Sequence, residues 1–143
     1  MADRILVPVD GSDQSRHACE LAFEEFPEAS VVLLHVINPA EAGYSGAPAF
    51  PSASEEWYEG QRERADDLFE ELAATAAEHG VEIADHRVEV GKPTRTIVDA
   101  IEETGADHVV MGSHGREGVT RVLLGSVAET VIRRSPVPVT VTR

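Results

Sequence analysis

The sequence predicts an α/β protein in which helices cover both faces of a parallel sheet. Short apolar runs at residues 5–9, 31–37 and 108–111 alternate with segments of helical periodicity. The first two runs are apolar almost without interruption, as expected of strands that are buried on both faces. Strands that alternate with helices at this interval require right-handed crossovers. We therefore predict a three-layer α/β/α sandwich with a five-stranded parallel sheet, formed as a single domain by residues 1–143.

The first half of the chain supplies the turns and helices around the first two strands. Asp10-Gly11-Ser12-Asp13 provides the turn and the N-cap of a helix that ends before Pro27. Residues 38–54 are rich in proline, glycine and small residues, and they predict a long loop of the kind that is usually functional or mobile. A long acidic helix is then predicted from Glu55 to about His79, with Ser52-x-x-Glu55 as a candidate capping box.

The second half of the chain continues the alternation. Residues 81–90 predict a third strand that is more polar than the others and therefore nearer the edge of the sheet. Pro93 suits the first turn of the next helix, and Gly105 closes it. The fourth strand is followed by a last helix at 126–134, which we expect to pack through three apolar residues, Val127, Val131 and Ile132.

The last predicted strand, Val137 to Val141, contains an unusual pair of prolines. Pro136 and Pro138 both lack an N–H group on one side of the strand, so one hydrogen-bond ladder would have two gaps. Proline in this position is typical of an edge strand. A free edge that carries valines favours pairing with a second copy of the chain.

The charge of the chain excludes several classes of partner. Acidic residues number 26 and basic residues 12, which gives a net charge of −14. Such a surface repels nucleic acid and anionic lipid at low salt, so we expect neither as a partner. The basic set has one lysine, Lys92, and this acidic, lysine-poor composition resembles that of proteins from salt-accumulating halophiles.

The sequence also predicts a cytoplasmic protein. The single cysteine, Cys19, lies among apolar residues of the first predicted helix, and we interpret it as a buried structural residue. The absence of a disulfide framework is typical of a reducing compartment. No charged-then-apolar leader opens the sequence, and no apolar run approaches the roughly 20 residues that span a bilayer.

The strongest functional pattern is a glycine-rich stretch from Met111 to Val127. Gly112 and Gly115 lie where the fourth strand ends, and Gly125-Ser126 lies where the last helix begins. The first N–H groups of a helix have no internal partner and favour an anion, while Ser126 can act as an N-cap or offer its hydroxyl to phosphate. The only lysine is far from this stretch, so it is not a Walker loop. We predict a phosphate-binding loop of another kind.

The spacing Gly112-x-x-Gly115, nine residues, then Gly125-Ser126 resembles the signature of the ATP-binding branch of the universal stress protein family. Further segments resemble the same family, namely residues 5–12, 34–37, 91–93 and 136–139. The resemblance implies the strand order 3-2-1-4-5 in a Rossmann-like sheet of the adenine nucleotide alpha hydrolase-like kind. It also implies a homodimer through the strand at 137–142, and ATP as ligand, with AMP as the alternative and Mg²⁺ accompanying the nucleotide.

The same resemblance assigns the nucleoside end of the site. In a sheet of this order, ligands bind beyond the carboxyl ends of the strands where the order reverses, and Asp10 and Gly112 should meet there. Asp10 cannot pair with phosphate and matches a position that contacts ribose and adenine. The main chain of Val36 matches a position that reads the adenine edge, and Pro8 and Val9 would line the base pocket.

The phosphate end of the site would be formed by the glycine-rich stretch, with Arg116 supplying charge to the outer phosphates. The remaining candidates are Met111, Gly112, His114, Gly115, Gly125, Ser126 and the amide of Val127. Glu117 departs from the family pattern, in which a small polar residue is more frequent. A carboxylate there weakens triphosphate binding unless it points outward or helps to hold Mg²⁺. The choice between ATP and AMP therefore stays open.

Three functions remain as alternatives. The first is a nucleotide-dependent regulator that acts as a homodimer. The second is an enzyme with slow ATP hydrolysis or adenylyl transfer, although we identify no nucleophile backed by a base, because Ser113 and His114 are adjacent in a turning loop and no Gly-x-Ser-x-Gly elbow occurs. The third is an interaction module that binds no nucleotide. The six histidines show no metal-ligand spacing, so we predict no resident metal.

Overall fold

Five parallel strands form the centre of the computed structural model, which describes residues 3–45, 54–113 and 124–143. The strands are β1 (Arg4–Pro8), β2 (Ser30–Ile37), β3 (Ile83–Val90), β4 (His108–Gly112) and β5 (Val139–Thr142). The helices are α1 (Asp13–Glu25), α2 (Glu55–Glu78), α3 (Pro93–Thr104) and α4 (Ser126–Arg134). The strand order is β3-β2-β1-β4-β5, and every neighbouring pair is parallel. The predicted fold class and strand order are confirmed.

Each face of the sheet carries its own hydrophobic cluster. Ile5 and Val7 of β1 belong to the cluster under α1 and α2, whereas Leu6 belongs to the cluster under α3 and α4. All three side chains are 0% exposed. Because successive residues of a strand point to opposite faces, both faces of β1 must be apolar. This burial explains why the first two strands are almost continuously apolar in sequence.

The helix ends follow the predicted chemistry at α1 and α3. The Ser12 hydroxyl accepts the N–H of Ser15 and so caps α1. Pro93 opens α3, and Gly105 ends it with a φ of 71°, a conformation that favours glycine. Within the described ranges, none of the helices combines the length and the apolarity that a membrane crossing requires.

Two predictions for the segment between β2 and α2 need correction. The start of the predicted 38–54 loop is not irregular, because Pro39–Ser45 forms a 3-10 helix. The N-cap of α2 is Ser54, whose hydroxyl accepts the N–H of Trp57 at 3.1 Å, and not the predicted Ser52. Ser52 belongs to the stretch 46–53, outside the described residues. Residue 54 is the better cap because it directly precedes the first helical residue.

A third correction concerns α4. The helix buries Ala128 and Val131, with Val127 half-buried against the same cluster, but Ile132 is 44% exposed. Each helical residue is rotated by about 100° from the previous one. Ile132 follows Val131 directly and is therefore turned out of the contact with the sheet.

Both predicted edge strands lie at the edges of the sheet, but the prolines act differently from expectation. The carbonyl of Pro138 accepts the N–H of Val109 on β4, so Pro138 faces inward and its missing N–H interrupts the inner ladder. This explains why β5 begins at Val139 and not at the predicted Val137. By alternation, the N–H and C=O groups of Val139 and Val141 point to the outer edge.

Candidate functional site

The candidate site lies at the carboxyl edge of the sheet, where the strand order reverses around β1. This strand pairs with β2 on one side and with β4 on the other, and the chain leaves β1 and β4 toward different helices. Asp10 lies two residues beyond the end of β1, and Gly112 is the last residue of β4. A crevice at such a reversal is where ligands bind in sheets of this type.

The loop after β1 is held in one conformation by its own polar groups. Ser12 N–H donates to Oδ1 of Asp10 at 2.9 Å, and Asp10 N–H donates to the Ser15 hydroxyl at 3.4 Å. That hydroxyl in turn donates to the carbonyl of Ser12 at 3.0 Å. Gly11 completes the turn with a φ of 83°. The half-buried Asp10 carboxylate is therefore oriented through Oδ1, and its Oδ2 has no hydrogen-bond partner among the described residues.

Gly112 brings the end of β4 against the first turn of α1. A Cβ atom at Gly112 would lie 2.7 Å from Cβ of Gln14 and 3.1 Å from its carbonyl oxygen. A Cβ atom is essentially never found 2.7 Å from another heavy atom, so a larger residue would force the two segments apart. The glycine thus permits the contact that places the loop after β1 beside the end of β4.

The start of α4 is tied directly to the end of β4. Gly125 N–H donates to the carbonyl of Ser113 at 2.8 Å, and Ser113 N–H donates to the carbonyl of Thr142 at 2.7 Å. The N-cap of α4 is Gly125 and not Ser126, since Ser126 is the first helical residue and no side chain caps the helix. The N–H groups that begin α4 therefore lie at the carboxyl edge of the sheet, on the same edge as Asp10.

Four further predicted site residues lie on or just beyond β1, β2 and β4. Val9 N–H donates to the carbonyl of Leu34 at 2.8 Å. Val9 and Met111 are 3% and 5% exposed. Because their side chains are buried, a ligand would contact mainly their main-chain atoms. Pro8 and Val36 are half-buried at the ends of their strands.

Sequence reasoning missed one residue that orders this region. His35 is 6% exposed, and its ring Nδ1 lies 2.8 Å from the carbonyl oxygen of Val9, to which an Nδ1–H donates. The bond fixes the main chain immediately before Asp10. A histidine inside an otherwise apolar strand was the signal for a buried polar contact.

Three predicted site residues lie outside the described residues. His114, Gly115 and Arg116 belong to the stretch 114–123, as does Glu117. The described candidates are Pro8, Val9, Asp10, Val36, Met111, Gly112, Gly125, Ser126 and Val127. All of them lie at or near the carboxyl ends of β1, β2 and β4 or at the start of α4.

Two surface concavities lie outside the region between Asp10 and Gly112, although the second includes Ser126. A cleft of about 390 Å³ is lined by Glu55, Tyr58, Glu59, Arg62 and Val90. A groove of about 330 Å³ follows the outside of α4 and is lined by Ser126, Glu129, Thr130, Arg133 and Arg134. Neither includes Asp10 or Gly112. The crevice at the strand-order reversal is recognised by its main-chain geometry and not by an enclosed volume.

The strand order defines a doubly wound α/β protein, a class in which ligands bind at the switch point of the sheet. A model of the universal stress protein family matches residues 1–143, and the chain belongs to this family. Universal stress protein MJ0531 of Methanocaldococcus jannaschii is 36% identical over 144 residues, which cover 98% of this chain and 81% of that protein.

Solved structures agree with this assignment. Protein MJ0577 of Methanocaldococcus jannaschii is 32% identical over 160 residues, with 100% of this chain and 96% of that protein covered. Its structure superposes with a TM-score of 0.80 over 98% of this chain and 94% of that one. A universal stress protein of Archaeoglobus fulgidus, solved in complex with dAMP, shares the fold at 23% identity, with a TM-score of 0.68 over 99% and 98% of the two chains.

Proposed function

We propose that this protein binds an adenine nucleotide at the carboxyl edge of β1 and β4 and acts as a nucleotide-dependent regulator of a stress response. The observation that carries the proposal is the contact between Gly112 and the first turn of α1, beside the hydrogen bond from Gly125 to Ser113. These contacts bring a carboxylate suited to ribose hydroxyls and a helix start suited to phosphate to one edge of one domain. ATP is the proposed ligand, with AMP as the alternative.

The proposed roles follow from what each group can donate or accept. Asp10 Oδ2 accepts from a ribose hydroxyl, because Oδ1 is already engaged by Ser12 N–H. The Val36 main chain meets the adenine edge, over a base pocket lined by Pro8 and Val9. The phosphates meet Gly112 and the first N–H groups of α4, at Ser126 and Val127, where the positive end of the helix dipole favours an anion.

The family motif adds residues from the stretch 114–123 to the phosphate end. Gly115 would let the main chain approach the phosphates, and Arg116 would add positive charge, with His114 as a further candidate contact. Mg²⁺ would accompany a triphosphate and offset its charge. The universal stress protein of Archaeoglobus fulgidus that was solved with dAMP has the same fold, which supports the proposal of an adenine nucleotide here.

We also propose that the protein is a homodimer, joined through the free edge of β5. The main-chain groups of Val139 and Val141 point to that edge, and no proline interrupts them on that side. Sedimentation should give twice the monomer mass of 15.4 kDa. Val141→Pro removes an outward N–H and should yield monomers. A wild-type protein that sediments as a monomer at micromolar concentration would contradict the dimer.

The composition supports a cytoplasmic protein of a salt-accumulating organism, with 26 acidic residues against 12 basic ones. High salt reduces the Debye length to about 3 Å at 1 M and so screens the repulsion within such a chain. Binding experiments therefore belong in molar KCl. In dilute buffer the protein would be destabilised, and a loss of binding could then result from unfolding.

The test of the proposed function is nucleotide identification. Protein purified from cells is denatured, and any released nucleotide is identified by chromatography. Isothermal titration in molar KCl with Mg²⁺ then compares ATP, AMP and GTP. We expect an adenine nucleotide in the first experiment, or saturable ATP binding with GTP excluded in the second. Failure to bind any adenine nucleotide would favour an interaction module, and turnover of labelled ATP well above background would favour an enzyme.

A further inference from the structure

Arg16 connects the loop after β1 to α2. It lies in the second turn of α1, and its Nη1–H donates to the carbonyl of Gly11 at 2.5 Å. The other edge of the same guanidinium meets Glu71 of α2, with Nε 2.6 Å from Oε2 and Nη2 3.3 Å from Oε1. The Arg16 side chain therefore forms hydrogen bonds to a loop carbonyl and to a carboxylate on the neighbouring helix.

The geometry of this contact indicates that Arg16 orients the loop after β1 more than it stabilises the folded protein. The Arg16 side chain is 37% exposed and that of Glu71 is 49% exposed, and ion pairs at such exposure contribute little to folding. A planar guanidinium with two parallel bonds to a carboxylate is nevertheless fixed in direction. The Nη1–H group that reaches Gly11 is therefore fixed in direction as well.

Gly11 is the residue of this loop whose conformation most needs such a contact. Its φ of 83° is available to glycine without strain, but glycine also adopts many other conformations. A change at Gly11 would move Asp10 on one side and the Ser12 N–H that orients the Asp10 carboxylate on the other. The carbonyl held by Arg16 thus controls where the carboxylate points.

We propose that Arg16, anchored by Glu71, is a positioning residue of the nucleotide site that holds the Gly11 carbonyl and thereby aims Asp10 at the ribose hydroxyls. The inference rests on the proposed function. It assigns sugar recognition in part to a side chain that does not touch the nucleotide. It also links α2 to the site through Glu71.

The test compares the dissociation constants of ATP and 2′,3′-dideoxy-ATP, measured by titration calorimetry in molar KCl with Mg²⁺. Arg16→Met keeps much of the apolar stem and removes the donors. We expect it to weaken ATP binding about threefold to tenfold and to leave dideoxy-ATP binding unchanged, so that the ratio of the two constants falls toward one. Arg16→Lys keeps the positive charge but lacks the planar guanidinium. It should therefore give a ratio close to that of Arg16→Met.

Two further variants separate positioning from folding. Glu71→Gln leaves Arg16 in place but weakens its anchor, and it should lower the ratio by less than Arg16→Met. Arg87→Met is the matched control, because Arg87 is also a partly exposed arginine with two carboxylate partners, Glu89 at 3.1 Å and Glu103 at 3.8 Å. The control should keep the wild-type ratio. Melting temperatures of all variants identify any loss from unfolding.

Two outcomes would overturn the inference. If wild-type protein prefers ATP over its dideoxy analogue and Arg16→Met and Glu71→Gln keep that preference in full, Arg16 has no positioning role, while the proposed function stands. If wild-type protein binds neither of these nucleotides and no AMP either, the proposed function fails and the inference fails with it. The inference is supported if the preference for ATP over dideoxy-ATP falls most in Arg16→Met, less in Glu71→Gln and not at all in Arg87→Met.

Discussion

Gly112 packs against Gln14 at a distance that leaves no room for a side chain. A Cβ at Gly112 would lie 2.7 Å from Cβ of Gln14, 3.0 Å from its main-chain carbon and 3.1 Å from its carbonyl oxygen. Two of these atoms belong to the main chain of α1, so they cannot move aside as a flexible side chain could. The last residue of β4 and the first turn of α1 are thus in direct contact at the candidate site.

The first prediction is that Gly112→Ala destabilises the protein by about 1–3 kcal/mol, because overpacking a tight contact forces main-chain shifts. The matched control is Gly60→Ala in α2, where a Cβ meets nothing within 4 Å. Alanine is the better helix former, so the control should gain up to about 1 kcal/mol. Urea unfolding in molar KCl measures both. Equal effects of the two substitutions would refute the close contact at Gly112.

The second prediction concerns Asp10. Asp10→Asn retains an oxygen that can accept from Ser12 N–H, but it places a donor where ribose needs an acceptor. We expect ATP affinity to fall about tenfold or more, since hydrogen bonds to a charged group contribute about 1.5–3 kcal/mol, while unfolding free energy changes little. Asp99→Asn is the control, with an exposed side chain on α3. Matching losses in both variants would indicate general electrostatics and not a ribose contact.

The third prediction is a pH dependence with two opposed contributions. Burial lowers the pKa of His108, whose Nε2 lies 2.8 Å from the Thr140 hydroxyl on β5. The native state therefore binds fewer protons at this site than the unfolded chain, and stability is lost as pH falls through the usual histidine pKa of about 6.5. The hydrogen bond to the carbonyl of Thr75, with help from Glu24, raises the pKa of His79. Its stabilisation is present at low pH and is lost as pH rises through the raised value.

Substitution separates these two contributions. His108→Gln should make the unfolding free energy less sensitive to acid between about pH 8 and pH 5, and His79→Gln should make it more sensitive. Urea midpoints at several pH values across this range measure both slopes. Slopes that move in the same direction in the two variants would show that the assigned causes are wrong.

The fourth prediction is a gain in stability with salt. The chain carries a net charge of −14, and α2 presents acidic residues at helical spacing, Glu59, Glu63 and Asp67, all exposed. Like charges four residues apart on a helix repel one another, and salt screens this repulsion. Calorimetry should show a melting temperature that rises by several degrees between dilute buffer and molar KCl. A triple variant that replaces these three residues by their amides should melt higher in dilute buffer and respond less to salt. A melting temperature that is flat or falls with salt would contradict the halophilic interpretation.

The sequence predicted the sheet well because burial on both faces leaves a simple mark. The continuous runs at residues 5–9 and 31–37 could hardly form anything else in an alternating α/β pattern, and the order of the strands came from the family resemblance. The polar third strand was rightly assigned to an edge, since β3 is the outermost strand beside β2 and its residues are half-buried or exposed. The prolines before β5 correctly indicated an edge strand. The sequence did not show that Pro138 faces β4, because that depends on the register between the two strands.

The contacts between distant segments could not be predicted in this way. The sequence indicated that Asp10 and Gly112 should lie near each other, but it gave no sign that Arg16 reaches both Gly11 and Glu71 or that His35 meets the carbonyl of Val9. Such contacts depend on where helices settle on the sheet. The sequence did not identify Ser54 as the N-cap of α2, because more than one serine precedes that helix. Main-chain geometry decides which of them caps it.

The most direct measurement of nucleotide binding at this crevice is an NMR titration of ¹⁵N-labelled protein with ATP and Mg²⁺ in molar KCl. We expect saturable shifts, with one dissociation constant, for the amide signals of the loop after β1 at Asp10, the end of β2 at Val36, the end of β4 at Gly112 and the start of α4 at Ser126 and Val127. No shifts at saturating ATP, or shifts confined to the cleft around Tyr58 and Val90, would contradict a nucleotide site between the loop after β1 and the start of α4.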